Sequence, residues 1–259
     1  MAFTRSSVTA KRFLGASLLL PVVLAVFFGQ PSAGIMLFLL GVGMAFEICK
    51  MLRQPVSHSV VTMLLISLCA VPYSLIGVEP PLVFGAGISA LAAGIVFLTA
   101  TPLAAGFTLL LCVCLLCSAM LLSMPDGHIT VLVLAAVITA CDSFAYFTGR
   151  FFGGPKLMPK VSPNKTISGS LGGIAASVGA IMACGSFLSF FSLFGLIIAG
   201  IAISIAAQTG DLIESAIKRR LDVKDSGAIL PGHGGLLDRF DGYLLAVPLT
   251  YSYLHGFPS

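Results

Sequence analysis

Two pairs of carboxylates with the same spacing lie in the C-terminal half of the chain. Asp211 and Glu214 are three residues apart, and so are Asp238 and Asp241. Side chains three residues apart on a helix lie on one face, so each pair can present its oxygens together. A few hard oxygen ligands suit Mg²⁺, whose remaining positions are filled by water and substrate phosphates. For Asp238 and Asp241, the ordinary alternative is a simple pair of charges at the start of the last helix.

The segment that connects the two pairs is charged and broken by glycines. Residues 208–241 hold six of the ten acidic and five of the fourteen basic residues. Near the middle, residues 231–235 read Pro-Gly-His-Gly-Gly. This run cannot continue a helix, and its glycines let the backbone approach a ligand closely. His233 could donate to a phosphate, although a lone histidine in a loop is often structural.

Two further polar features precede this segment. Asp142 interrupts an apolar stretch, where a carboxylate is costly and suggests function; the alternative is an aspartate that reaches the interface. Residues 162–173 combine small hydroxyl residues, Lys165 and glycines at the start of the next apolar stretch. Such a helix start can offer N–H groups and a cation to phosphate, but the spacing of a Walker loop is absent. The alternative is an ordinary helix cap followed by a tightly packed glycine face.

Acids for a divalent cation and lysines for phosphates favour one class of chemistry. Phosphoryl or nucleotidyl transfer onto a lipid-soluble acceptor fits, because the protein mainly positions the reactants and neutralises charge in these reactions.

Hydrophobic helices must position these residues. The chain of 259 residues is 58% hydrophobic and 9% charged, whereas soluble domains carry about 25% charged residues. We therefore predict an all-α, polytopic integral membrane protein. The seven cysteines lie in or beside apolar stretches and are expected to act as small apolar side chains rather than as a metal site. About nine spans are predicted, at 13–29, 32–48, 59–77, 81–98, 102–122, 129–148, 170–188, 191–213 and 241–256.

The basic residues predict the orientation. With the N-terminus in the cytoplasm, all fourteen lysines and arginines fall in inside segments, as the positive-inside rule requires. The loops 149–169 and 214–240 are then cytoplasmic, and the protein is expected in the cell's inner (cytoplasmic) membrane with its active site on the cytoplasmic side. Residues 1–128 are predicted to be a scaffold of about five helices and residues 129–259 the catalytic region. The net charge of +4 follows from this topology and does not indicate nucleic acid binding.

Residues 215–241 resemble the full signature of the phosphatidate cytidylyltransferases (CDP-diglyceride synthases). They read Ser-x-Ile-Lys-Arg-x4-Lys-Asp-x-Gly-x2-Leu-Pro-Gly-His-Gly-Gly-Leu-x-Asp-Arg-Phe-Asp. The runs Asp142-Ser-Phe-Ala-Tyr and Ser162-Pro-Asn-Lys-Thr resemble two further family blocks in the expected order. The second block usually continues Lys-Thr-x-Glu-Gly, and this chain has Ser168 in place of the glutamate. A carboxylate role at that position is therefore not expected.

The resemblance implies transfer of CMP from CTP to phosphatidate in phospholipid biosynthesis, giving CDP-diacylglycerol and pyrophosphate. It implies Mg²⁺, with a second cation left open, and membrane lipids and a homodimer as partners. The implied catalytic residues are Asp211, Lys218, Asp238 and Asp241. The implied metal set is Asp142, Asp211, Asp238 and Asp241. The implied substrate contacts are Ser162, Lys165, Thr166, Lys224, His233 and Arg239. Two other functions stay open: a transporter or flippase for an anionic lipid, and a lipid kinase.

Overall fold

The structure is a computed structural model that describes residues 19–53, 55–69, 82–185, 192–230 and 234–256. His233 lies outside the described residues. Parts of several predicted spans also lie outside them, such as residues 70–77 of the span 59–77.

Each of the nine predicted spans contains a helix within the described residues. A tenth helix, of four residues, precedes the last of them. The helices are α1 Leu20–Phe27, α2 Ser32–Met51, α3 Val56–Cys69, α4 Leu82–Thr99, α5 Pro102–Ser123, α6 Gly127–Phe152, α7 Ile167–Ala183, α8 Leu193–Arg220, α9 Leu237–Phe240 and α10 Tyr243–Gly256.

Four of these helices, α2, α5, α6 and α8, are long and apolar enough to cross a membrane. The other five predicted spans hold helices of 8 to 18 residues in the part of the chain that the structure describes, whereas a straight span needs about 20. The helical nature of the predicted segments is confirmed. The number of nine spans and the cytoplasmic N-terminus stay predictions.

A small sheet corrects the prediction that the chain is all-α. Strands β1 (Lys156–Met158) and β2 (Ser162–Thr166) pair antiparallel, with Lys156 opposite Thr166 and Met158 opposite Ser162. The hairpin lies in residues predicted as a cytoplasmic loop. Thr166 ends β2, and its Oγ1 accepts a hydrogen bond from the Gly169 N–H at 3.1 Å, which caps α7. The backbone at Lys165 is therefore fixed by the pairing of β2 with β1 and by the cap that Thr166 forms at the start of α7.

The chain divides into two compact units. The first comprises residues 1–128 and 217–240, and the second comprises residues 129–216 and 241–259. Residues 217–240 thus group with the N-terminal helices rather than with the segments that flank them in the sequence. In the first unit, α2 packs against α3 and α5, and α5 also packs against α3 and α4. Its fully buried side chains include Ile48, Ile66, Leu111 and Leu121.

Candidate active site

Three carboxylates converge in the second unit. Asp211 and Glu214 lie one turn apart on α8, and Asp241 lies in the turn that precedes α10. One oxygen of each lies within 4.8 Å of the others. Glu214 is 1% exposed, and the other two are half-buried. Because three negative charges so close together repel one another, the arrangement is one that a cation stabilises.

A close approach of two backbones brings Asp241 to α8. A Cβ atom at Gly210 would lie 2.5 Å from the carbonyl oxygen of Asp241, so only glycine allows the chain to pass this near. The Oδ1 atom of Asp241 accepts a hydrogen bond from the Gly242 N–H at 2.7 Å. These contacts fix the third carboxylate beside the pair on α8.

Lys165 supplies a positive charge to this cluster. Its Nζ forms an ion pair with Oδ2 of Asp211, and the two side chains are 26% and 28% exposed. A pair this accessible contributes about 1 kcal/mol or less to stability, so its effect is to hold an ammonium group beside the acids. Asp142 is exposed on α6, near enough for its charge to act on Asp241 and Tyr243.

Three hydroxyl residues of the hairpin region have different environments. Thr166 is 5% exposed, and its hydroxyl caps α7 and lies 3.1 Å from that of Ser168. Ser168 donates to the carbonyl oxygen of Gly153, so the serine in place of the family's glutamate ties the preceding loop to the start of α7. Ser162 is half-buried on β2. Substrate-binding roles for Ser162 and Thr166 stay predictions.

A polar contact that the sequence analysis missed connects the helices of this unit. Gln208 Nε2 donates to the Ser170 carbonyl at 3.2 Å and lies 3.1 Å from Ser204 Oγ and 3.7 Å from Cys141 Sγ. Cys141 precedes Asp142 on α6, and Gln208 is three residues before Asp211 on α8. The glutamine therefore braces the helices that carry the site carboxylates.

A second group of charges lies in the first unit. Lys218 Nζ donates to Oδ1 of Asp238 at 2.7 Å. The Ser226 N–H lies 3.2 and 3.0 Å from the two carboxylate oxygens of Asp238, and the Gly235 N–H donates to Oδ2 at 2.8 Å. Burial alone would raise the pKa of Asp238, but the Lys218 ammonium and the two N–H groups together hold that pKa below its ordinary value. Asp238 is therefore an ionised partner of Lys218.

Glu47 of α2 completes this group. It is 1% exposed, and its Oε2 accepts hydrogen bonds from the Leu237 N–H at 3.0 Å and the Ser226 hydroxyl at 3.3 Å. The sequence analysis treated the N-terminal half as scaffold and did not select this residue. An acid inside a predicted span was the available signal, because such a residue is costly unless it is paired.

The predicted site residues thus fall into separate groups. Asp211, Asp241 and Lys165 come together with Glu214 in the second unit, whereas Lys218 and Asp238 pair in the first. Among the described residues, the carboxylate group with metal-binding geometry is Asp211, Glu214 and Asp241. Both oxygens of Asp238 already accept hydrogen bonds, and its metal role stays a prediction. The remaining predicted substrate contacts are Lys224 and Arg239, which are exposed, and His233, which lies outside the described residues.

Comparison with known proteins gives one family. Residues 10–257 match the family model described as "Cytidylyltransferase family". A relative named phosphatidate cytidylyltransferase from Brucella abortus biovar 1 (strain 9-941) is 47% identical over 127 residues, which are 49% of this chain and 47% of the relative. One of the same name from Bacillus subtilis (strain 168) is 49% identical over 117 residues, 44% of this chain and 43% of the relative. The chain therefore spans about half the length of the curated relatives it matches.

Proposed function

The chain belongs to the cytidylyltransferase family, and we propose that it transfers CMP from CTP to phosphatidate. A phosphatidate oxygen attacks the α-phosphorus of CTP, the bond to the bridging oxygen of the β-phosphate breaks, and CDP-diacylglycerol and pyrophosphate form. The attacking oxygen is ionised near neutral pH, so a strong general base is not required. The observation that carries the proposal is the group of three carboxylates with Lys165 beside it.

The three carboxylates fit Mg²⁺ by the chemistry of their donors. Asp211, Glu214 and Asp241 offer hard oxygens from two chain segments and leave positions for water and phosphate. A bound Mg²⁺ would neutralise charge on the phosphates. Glu214 joins the set that the sequence analysis assigned to the metal. Asp142 would act on it through its charge, and a second cation remains part of the proposal.

The lysines act on the phosphates of the substrates. Lys165 lies beside the acids, and Lys218 is held by Asp238, so each ammonium group has a fixed position before substrate binds. A positioned cation stabilises charge in the transition state without reorganising during the reaction. We assign Asp238 to the orientation of Lys218 in preference to metal binding, because its two oxygens are occupied by donors.

The cellular setting follows from the distribution of charge. All fourteen basic residues fall in segments predicted to be inside, which supports an inner-membrane location, a cytoplasmic active site and about nine spans. Membrane lipids would deliver phosphatidate laterally, and CTP would enter from the cytoplasm. A homodimer belongs to the same proposal through the family resemblance.

The test is a labelled-substrate assay on purified protein in detergent micelles. CTP labelled at the α-phosphate is expected to give labelled CDP-diacylglycerol and unlabelled pyrophosphate only when phosphatidate and Mg²⁺ are both present. A lipid kinase would instead give CDP and a phosphorylated lipid, and a transporter or flippase would give neither product. Either result would refute the proposed reaction.

A matched pair of variants tests the acid group. Asp241→Asn should lower turnover by at least about 100-fold, because it removes one of the charges that would hold the cation. Asp222→Asn is the control: Asp222 is exposed and has a φ of 54°, a conformation that asparagine also tolerates. Equal activity of the two variants would remove Asp241 from the site.

A further inference from the structure

We propose that Glu47 is a positioning residue of the active site: it holds Ser226 and the start of α9 so that Asp238 can orient Lys218. The kinetic consequence of this inference rests on the proposed function. The structural link itself concerns contacts within the first unit and does not depend on that function. Glu47 itself lies on α2, 179 residues before Ser226 in the sequence.

Ser226 is the link between the two carboxylates. Its hydroxyl lies 3.3 Å from Glu47 Oε2, and its N–H lies 3.0 Å from Asp238 Oδ2. The Asp238 N–H in turn lies 3.3 Å from the Ser226 hydroxyl oxygen. Ser226 thus contacts Glu47 through its hydroxyl group and Asp238 through both its hydroxyl group and its backbone N–H. A displacement of Ser226 would therefore change the hydrogen bonds of Asp238.

The N–H of Leu237 gives a second link. It donates to Glu47 Oε2 at 3.0 Å, and Leu237 immediately precedes Asp238 at the start of α9. Glu47 therefore contacts both Ser226 and the start of α9. A short helix held at its first residue by a buried carboxylate has a defined direction, and this direction sets where the Asp238 side chain points.

Two glycines make room for the Glu47 side chain. A Cβ atom at Gly235 would lie 2.6 Å from Glu47 Oε2, and a Cβ atom at Gly227 would overlap Oε1. Gly227 and Gly235 are therefore required by a buried side chain of α2. Oε1 is buried without a hydrogen-bond partner among the described residues, so the contacts of the carboxylate are concentrated on Oε2.

Three variants separate positioning from simple packing. Glu47→Ala removes both contacts, whereas Glu47→Gln keeps an oxygen acceptor and places its amide nitrogen where Oε1 lies. Thr62→Val is the control, because Thr62 is a fully buried polar residue of the neighbouring helix α3 whose Oγ1 has no hydrogen-bond partner among the described residues.

The first measurement is amide hydrogen exchange, which does not depend on activity. In Glu47→Ala, exchange is expected to accelerate at Leu237 and also at Ser226 and Gly235, whose N–H groups contact Asp238 rather than Glu47. Peptides of α5 should exchange as in the unsubstituted protein. Acceleration at Leu237 alone, or equal acceleration throughout the first unit, would overturn the inference.

The second measurement is steady-state kinetics with CTP. Removing a contact that supports a site residue typically lowers activity by about 10–100-fold. We therefore expect kcat/KM of Glu47→Ala to fall by about 10–100-fold and Glu47→Gln to retain most of the kcat/KM of the unsubstituted protein. Thr62→Val should match the unsubstituted protein. Unchanged kcat/KM in Glu47→Ala, or an equal loss in Thr62→Val, would refute the positioning role. Absence of pyrophosphate release from the unsubstituted protein would refute the proposed function instead, and the exchange experiment would still decide the structural link.

Discussion

The Lys218–Asp238 pair should stabilise the protein far more than an ordinary surface ion pair does. The side chains of Lys218 and Asp238 are only 12% and 7% exposed. Removing one partner of a buried pair costs about 3–5 kcal/mol, because the other charge is left without compensation, whereas an exposed pair contributes about 0–1 kcal/mol. With slight exposure and two additional N–H donors on Asp238, we expect Asp238→Asn to cost about 3 kcal/mol, the low end of the buried range.

The two single variants should not cost the same. Asp238→Asn removes the carboxylate charge that pairs with the Lys218 ammonium group. It also removes one of the two oxygen atoms that accept hydrogen bonds from the N–H groups of Ser226 and Gly235. Lys218→Met leaves Asp238 with those two N–H donors, so its cost should be about 1–2 kcal/mol, nearer that of a lost hydrogen bond to a charged group. The double variant should cost about 1–2 kcal/mol less than the sum, as for contacting residues.

Thiol-reactive dye melting suits this measurement, because six of the seven cysteines are buried and free in the folded chain. A cost of 3 kcal/mol corresponds to about 6–12 °C in the apparent melting temperature of a chain of this size. Lys224→Met is the matched control, since Lys224 is an exposed lysine of the same segment, and it should shift the melting temperature by about 2 °C or less. Single-variant costs that add within about 0.5 kcal/mol in the double variant would show that the pair is not coupled.

Three other perturbations have defined outcomes. The first is acidification: because the pKa of Asp238 is lowered in the folded state, the ionised carboxylate stabilises the fold fully above the ordinary aspartate pKa of 3.8. This stabilisation is lost as the pH falls through the lower pKa of the folded state. The melting temperature should therefore drop over this range in the unsubstituted protein, and it should drop less in Asp238→Asn. Lys165→Met should raise the KM for CTP at least about tenfold with little change in melting temperature, whereas exposed Lys160, substituted in the same way, should change neither. Gly210→Ala should lower turnover about 100-fold by displacing Asp241, while Gly106→Ala, with open space around the new methyl group, should leave turnover as it was.

Local patterns predicted the helices and some of the residues that the structure brings together. Long apolar runs bounded by proline and glycine are sufficient to locate a helix, and each of the nine segments contains one. The spacing of Asp211 and Glu214 correctly indicated one helix face, although Glu214 was left out of the predicted metal set. The hairpin at 156–166 escaped prediction because its strands have three and five residues and Pro163 lies within the second.

Contacts between distant segments could not be predicted in the same way. Asp238 and Asp241 have the same i, i+3 spacing as the first pair, yet the chain turns between them, and Asp238 contacts Lys218 while Asp241 lies beside α8. That difference depends on Gly210 and on the N–H groups of Ser226 and Gly235, none of which carries a charge. The role of Glu47 depends on a residue 179 positions away, which no periodicity within a helix can reveal.

The first unit is assembled from residues 1–128 and 217–240, and this has a consequence for biosynthesis. Ribosomes add about 5–20 residues per second, so the 179 positions from Glu47 to Ser226 take about 9–36 s to synthesise at that rate. During this interval α2 carries an acidic side chain whose hydrogen-bond donors have not yet been made. We therefore expect the nascent N-terminal helices to remain incompletely packed until the late segment emerges, and to be recognised by membrane chaperones or proteases when translation stops before residue 217.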